Sequence, residues 1–247
     1  MKAKLMPHYE IKEGNLYFLG QRIGDKISEL ENNNATIDIP EIKRTGNEEK
    51  VLVVEAHSDD AALSIGGYLL KSFREKQIQL LDIFSTCGCT VLADLLKTPE
   101  EITRYNNLEE GLFSERICAE LNMMNLPESF FRYSRWNDPL DVDKDLAYIN
   151  SVIDDINSYI SDGTRQVFFP VGLGHPDHVL LREVCRRLNH NGIITALYED
   201  LPYFSEIPSQ ELDRILASLR DEGFSEELVE IDVDEKLKLL SIYKTQY

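Results

Sequence analysis

Positive charge is scarce in this chain: 26 Lys and Arg stand against 44 Asp and Glu, for a formal net charge of -18. So acidic a surface repels phosphate backbones and anionic headgroups, which argues against nucleic acid and against membrane insertion. Cysteine is sparse too. The four, Cys87, Cys89, Cys118 and Cys185, are too scattered for the disulfide framework of a small secreted domain. Cys118 and Cys185 fall in apolar helical patterns as small buried hydrophobes, and the Cys87-Gly88-Cys89 step reads as small residues lining a loop. No apolar run reaches the length of a transmembrane helix, and the opening residues lack the apolar core of a secretory signal, so the expected location is the cytoplasm. Trp136 is the one tryptophan. It lies in a polar group with Arg132, Arg135 and Asp138, where core packing and sugar stacking are both open readings.

What is present suffices for a large core. A chain of 247 residues with 43% hydrophobic content suits one α/β domain. The first 48 residues read as an appended segment: Tyr9 to Leu19 alternates around Gly14-Asn15 like a hairpin, and Asn32-Asn33-Asn34 breaks the pattern further on. From residue 49 to 247 the rhythm changes. Apolar runs at Val51 to Ala56, Ile78 to Phe84, Gln166 to Val171 and Ile193 to Tyr198 predict parallel strands. Spacings of three and four predict helices over Ala61 to Lys76, Glu100 to Met123, Lys144 to Ile160 and His178 to Leu188. Alternation of this kind predicts a doubly wound sheet with helices on both faces, whose ligands bind beyond the carboxyl ends of the strands.

Two polar clusters occupy such positions, Ala56-His-Ser-Asp-Asp60 and Gly174-His-Pro-Asp-His178. Together they hold three of the five histidines. A catalytic zinc site takes three histidine or carboxylate ligands and leaves a position for water, and His57, Asp60 and His178 supply that number. Asp59 is then placed as general base toward the activated water. His175 would stabilise the oxyanion or protonate the leaving amine, with Asp177 orienting it and holding it protonated. Either motif alone is also ordinary helix-capping chemistry, so the weight rests on their joint occurrence. Two histidines and a carboxylate suit Fe2+ as well as Zn2+. His8 and His190, in a tail-like segment and at a helix end, are outside the set.

These residues resemble the PIG-L or LmbE-like family of metal-dependent de-N-acetylases, whose members carry A-H-P-D-D or P-H-x-D-D after the first strand and H-x-D-H much later. Here the first motif is Glu55-Ala-His-Ser-Asp-Asp-Ala-Ala-Leu-Ser-Ile-Gly-Gly67. Tyr198-Glu-Asp-Leu-Pro-Tyr203 is similar to a Y-E-D-x-P-Y segment of one branch, and Tyr243-Lys-Thr-Gln246 to its closing Y-x-S-Q. The resemblance covers Lys50 to Gln246. It implies a Rossmann-like three-layer α/β sandwich with a mostly parallel sheet. It also implies one zinc on His57, Asp60 and His178, Asp59 as base, and His175 and Asp177 as electrostatic partners.

The substrate it implies is a small N-acetylated amino sugar or glycoconjugate. Asp138 falls near a family aspartate that contacts the sugar, while Tyr198, Glu199 and Asp200 lie on the expected rim as further substrate contacts. The chain departs from the pattern at Ser58 for proline and Ala61 for glutamate. Leu173 stands where a carbonyl-polarising tyrosine is often found, a role Tyr198 or Tyr203 would have to fill. Glu115 fits the glutamate of an R-x-x-E element, but Leu112 replaces its arginine. These departures leave open an amidase acting on a non-sugar N-acyl amine, and an idle binding protein that keeps the fold. A homo-oligomer is left open.

Overall fold

The computed structural model describes residues 9–12, 15–18, 21–22, 48–133, 138–188 and 192–246. His8, Gly14, Arg135, Trp136 and His190, singled out above, lie outside them. Near the start, β1 (Tyr9–Lys12), β2 (Asn15–Phe18) and β3 (Gln21–Arg22) pair antiparallel in that order.

The main sheet has five strands, all parallel: β4 (Glu49–Glu55), β5 (Lys76–Asp82), β6 (Glu120–Met123), β7 (Thr164–Pro170) and β8 (Ile194–Tyr198). Around it run α1 (Asp60–Ser72), α2 (Pro99–Arg116), α3 (Ser129–Arg132), α4 (Val142–Tyr159), α5 (Pro176–Arg187), α6 (Tyr203–Glu206), α7 (Ser209–Asp221) and α8 (Val233–Leu240). Among the described residues no helix is long and apolar enough to cross a membrane.

Strand alternation assigns the two faces. Leu52, Val54 and Ala56 point into one core with Ile149, Val152 and Ile156 of α4 and Leu180, Leu181 and Val184 of α5. Val51 and Val53 point into the other, with Leu69 of α1, Phe113 of α2 and Leu239 of α8. Each fully buried aliphatic side chain of this kind contributes about 1.5–3 kcal/mol, so both helical layers are held by burial against the sheet. The result is the three-layer α/β sandwich expected from the sequence.

The strand order is β6-β5-β4-β7-β8. The chain builds outward from β4 to β6, then returns to the other side of β4 with β7. The carboxyl ends of β4 and β7 thus flank a switch point, where the two connecting loops diverge and leave a crevice.

One predicted element is wrong in extent. The helix expected over Glu100 to Met123 ends at Arg116, and Glu120–Met123 is the edge strand β6. Cys118 takes a φ of 50°, a left-handed conformation that breaks the helix, and its neighbours Ile117 and Leu121 keep an apolar spacing that mimics helical continuity. The other end of α2 follows local rules: Thr98 and Glu101 form a capping box, with Pro99 in the first turn.

Candidate metal and catalytic site

The β4–α1 and β7–α5 loops bring their polar clusters together at the switch point. The rings of His57 and His178 lie 5.4 Å apart, and those of His57 and His175 4.7 Å apart. One nitrogen from each of His57, His175 and His178 lies within 4.8 Å of the others, a grouping able to hold a metal ion. Asp60 lies beside it, its Oδ2 3.2 Å from His178 Nε2 and 3.6 Å from His57 Nδ1. Asp60 opens α1 and Asp177 opens α5, so both carboxylates sit at the positive end of a helix.

Behind each histidine stands a carboxylate. His57 Nε2 is 3.0 Å from Asp177 Oδ2, which leaves Nδ1 facing Asp60. His178 Nδ1 is 3.5 Å from Asp200 Oδ2, which leaves Nε2 facing Asp60. This carboxylate–histidine order is how metal-binding imidazoles are held in one tautomer and orientation. His178 is fully buried, and Asp60 and Asp200 oxygens stand 3.2 and 3.5 Å from its ring nitrogens, though among the described residues neither contact closes as a well-aligned hydrogen bond. Burial without well-aligned hydrogen bonds is costly for an imidazole, and coordination would satisfy it.

The electrostatics mark an acid-rich pocket that draws positive charge, and each histidine must give up its second proton to ligate a metal. Burial alone would push His57 down, but the bonds to Asp177 and Asp60 hold it well above the usual range. Burial opposes His178 likewise, yet Asp60 and Asp200 raise it to about 9. Asp60, despite burial, is held well below the usual carboxylate range by His178 and His57.

Asp177 stands between two histidines. It is anchored by Arg132 and by the backbone N–H of Ser129 at 2.9 Å, and its Oδ2 lies 3.0 Å from His57 Nε2 and 3.7 Å from His175 Nδ1. Arg132 Nη2 pairs with its Oδ1, while the guanidinium lies 4.8 Å from the Phe84 ring centre and 4.9 Å from that of Tyr148. The charge of Asp177 raises His175, but less than burial and the His57 charge lower it. His175 Nδ1 accepts the Asp177 backbone N–H at 3.3 Å, so in the neutral ring the proton sits on Nε2. Burial, followed by the nearby charge of His57, pushes His175 down to about 3.

The rim residues also separate. Asp200 is not a substrate contact: it is fully buried, and its Oδ2 accepts the backbone N–H groups of Gly172 (2.7 Å) and Leu173 (2.5 Å) as it faces His178. Tyr198 is not one either, because its hydroxyl is buried and donates to the Val54 carbonyl at 3.0 Å. Glu199 is exposed and feels the charge of Lys236 on α8. Asp138 is half-buried in the segment before α4.

Tyr203 is the tyrosine brought to the histidines. Its ring lies 5.3 Å from that of His178 and packs over Gly174, where φ is 69° and any Cβ would fall 2.5 Å from the Tyr203 ring. Glu115 is exposed, whereas Glu109 and Glu110 are the buried acids of α2. Among the cysteines, Cys185 is buried and its thiol is pushed up to about 11 by burial.

Asp59 sits in strained backbone, with φ 128° and ψ -23°. Such a conformation costs a non-glycine residue about 1–3 kcal/mol and persists only where its surroundings impose it. The imposing bonds are Asp60 Oδ2 to the His57 N–H at 2.8 Å, the Asp59 carbonyl to the Leu63 N–H at 2.8 Å, and Glu55 Oε2 to the Ala61 N–H at 3.0 Å. Sequence reasoning missed Glu55, Arg132 and Ser129 as supports of the site. A carboxylate ending a buried strand at Glu55 was the available signal.

No family model matches the chain. A curated relative, the 2'-N-acetylparomamine deacetylase of Streptomyces fradiae, is 25% identical over 177 residues, 69% of this chain and 63% of that protein. The match thus spans less than two thirds of that relative. Among solved structures, a teicoplanin deacetylase in a zinc-inhibited form superposes with a TM-score of 0.60 at 19% identity, covering 79% of this chain and 84% of that one. A deacetylase–teicoplanin complex gives 0.61 at 18% identity, over 79% and 86% of the two chains. The deacetylase of the A40926 pseudoaglycone gives 0.56 at 18% identity, over 80% and 82%. The fold of this chain is that of the LmbE-like deacetylases, the family its motifs resemble.

Proposed function

We propose that the protein is a zinc-dependent N-deacetylase that removes the acetyl group from an N-acetylated amino sugar or glycoconjugate. The observation that carries this is the meeting of His57, Asp60 and His178 at the switch point, with the ring nitrogens of buried His178 facing Asp60 and Asp200. Two ligands of a tetrahedral zinc are about 3.4 Å apart. The 3.2 and 3.6 Å spacings around Asp60 Oδ2 fit that figure. Zinc supplies Lewis acidity and lowers the pKa of a water.

The chain's own residues do the rest. Asp177 and Asp200 fix the tautomers of His57 and His178 through the ring nitrogens that face away from Asp60. Asp59, next to the ligand Asp60, takes the proton of the attacking water as general base. His175, whose Nε2 lies 3.4 Å from Ser129 Oγ, would turn Nε2–H from that hydroxyl to the oxyanion that forms at the acyl carbon, which suits its neutral state. Tyr203 stands nearest to the carbonyl-polarising role that Leu173 cannot fill. Asp138 remains a candidate contact to the substrate hydroxyls. The curated relative is a 2'-N-acetylparomamine deacetylase, and the structural neighbours are deacetylases of the teicoplanin biosynthesis pathway, which supports an amino-sugar conjugate as substrate.

Metal analysis of the purified protein, with a hydrolysis assay over N-acetylglucosamine, N-acetylated glycoconjugates and non-sugar N-acetyl amines, tests the reading. Asp59→Asn is expected to retain metal and lose about 10²–10⁴-fold in kcat. A protein that binds no metal, or an Asp59→Asn variant as fast as wild type, refutes it.

A further inference from the structure

Asp59 is the N-cap residue of α1 and of a type that usually caps, yet its side chain makes no cap hydrogen bond. The bond exists all the same. Ala61, second residue of the helix, donates its N–H to Glu55 Oε2 at 3.0 Å. Glu55 is the last residue of β4 and is fully buried on the α1 side of the sheet. A carboxyl oxygen from the preceding strand therefore stands where the side chain of Asp59 would stand in an ordinary cap.

We propose that Glu55 is a positioning residue for catalysis: by capping α1 from the strand, it keeps the carboxylate of Asp59 turned away from the helix end and toward the reaction site. The geometry gives the reason. A capping side chain reaches the N–H of the second or third helical residue, a pose taken with extended backbone at the cap. Asp59 instead has φ 128°, and its carbonyl accepts the Leu63 N–H at 2.8 Å, so the helix begins as usual without the Asp59 side chain in the capping pose. With Ala61 already satisfied, the helix offers Asp59 less reward for swinging back.

The support extends behind Glu55. Glu110 of α2 is buried beside it and accepts the Tyr243 hydroxyl at 2.6 Å, so the closing segment of the chain braces the acid that neighbours Glu55.

The inference deepens the proposed reading of Asp59 as base, but its structural arm stands apart from activity. In a crystal structure of Glu55→Met, which keeps bulk and removes the acceptor, Asp59 is expected to relax from positive φ and accept the Ala61 or Ala62 N–H. By hydrogen exchange, the Ala61 amide should lose protection in Glu55→Met, keep it in Glu55→Gln, whose amide oxygen still accepts, and keep it in Asp59→Ala. In the hydrolysis assay, Glu55→Met should lose about a hundredfold in kcat, with KM and metal content within twofold, while Glu55→Gln stays within threefold of wild type.

An Asp59 that keeps its conformation in Glu55→Met, or an Ala61 amide exposed by Asp59→Ala, overturns the proposal. The latter arm decides the matter even if Glu55→Met does not fold. If the wild type proves to hydrolyse nothing while the conformational result holds, the capping inference stands and the deacetylase reading falls.

Discussion

Two groups of buried acids meet near the carboxyl end of β4, and they hold opposite charge states. Asp60 and Asp177 face histidines and Arg132, which keep both below the usual carboxylate range in spite of burial. Glu55, Asp82, Glu109 and Glu110 lie on the α1–α2 side, where their neighbours are mostly other acids, hydroxyls and backbone N–H groups, and the charges of Lys244 near Glu109 and His57 near Asp82 are minor opposing influences. Burial raises all four, with Glu109 and Glu110 reaching about 8. Both groups are removed from water, so burial alone does not set the ionisation. A cationic partner does, and the difference divides an ionised site from a protonated floor beneath it.

Removing the anion that links the two cations of the ionised group tests the comparison most severely. Asp177→Asn leaves Arg132 and His57 without their shared carboxylate. We expect a loss of about 3 kcal/mol in stability, as for a broken buried ion pair. Metal affinity should fall about 10–100-fold because His57 is no longer held. Denaturant titration and chelator competition measure the two effects. The folded-state pKa of Asp177 is depressed, so its contribution is present above the unfolded value near 3.8 and is lost as pH falls through the folded one. If Asp177→Asn matches wild type in both assays, partners do not account for its ionisation.

The protonated floor predicts the opposite pH sense with a smaller effect. Glu109 and Glu110 keep their protons when folded up to about pH 8, whereas in the unfolded chain they ionise near 4.5. Their contribution is full below about 4.5 and is lost as pH rises toward 8. In Glu110→Gln the amide oxygen can still accept the Tyr243 hydroxyl and nothing titrates. The variant should lose roughly 2 kcal/mol less stability than wild type between pH 5 and pH 8, as read by urea denaturation. Parallel curves would show that Glu110 is ionised when folded and would erase the contrast.

The two groups were unequally legible in the sequence. Metal-type side chains at the ends of apolar runs announced His57, Asp60 and His178, because the strand rhythm alone places such residues on one rim. Direction was harder. Tyr198 and Asp200 follow β8 and were read as substrate contacts, but nothing in Y-E-D says that the tyrosine turns under β4 or that Asp200 turns inward to the Gly172 and Leu173 amides. Glu109 and Glu110 lie on a helix rich in polar residues. They are buried because the distant Tyr243 to Thr245 segment returns across α2, with the Thr245 N–H 3.0 Å from Glu109 Oε1. Contacts between residues so far apart in the chain leave no local periodicity to read.

Ser58 gives the smallest and sharpest test. It stands where the motif this sequence resembles often has proline, and its side chain offers no group that the proposed hydrolysis requires. Its hydroxyl donates to Asp82 Oδ2 at 2.5 Å, from inside the catalytic turn to the protonated floor. Burial raises Asp82, against which this hydrogen bond is the leading opposing influence, and among the described residues Asp82 Oδ1 has no partner. Ser58→Ala should therefore cost about 1 kcal/mol by leaving a buried carboxyl oxygen unpaired, and should leave metal content unchanged. In a double-mutant cycle with Asp82→Ala, most of that cost should appear as coupling between the two positions. A coupling near zero would mean that the floor does not hold the turn through Ser58, and that the two groups of acids are neighbours in space without being joined in energy.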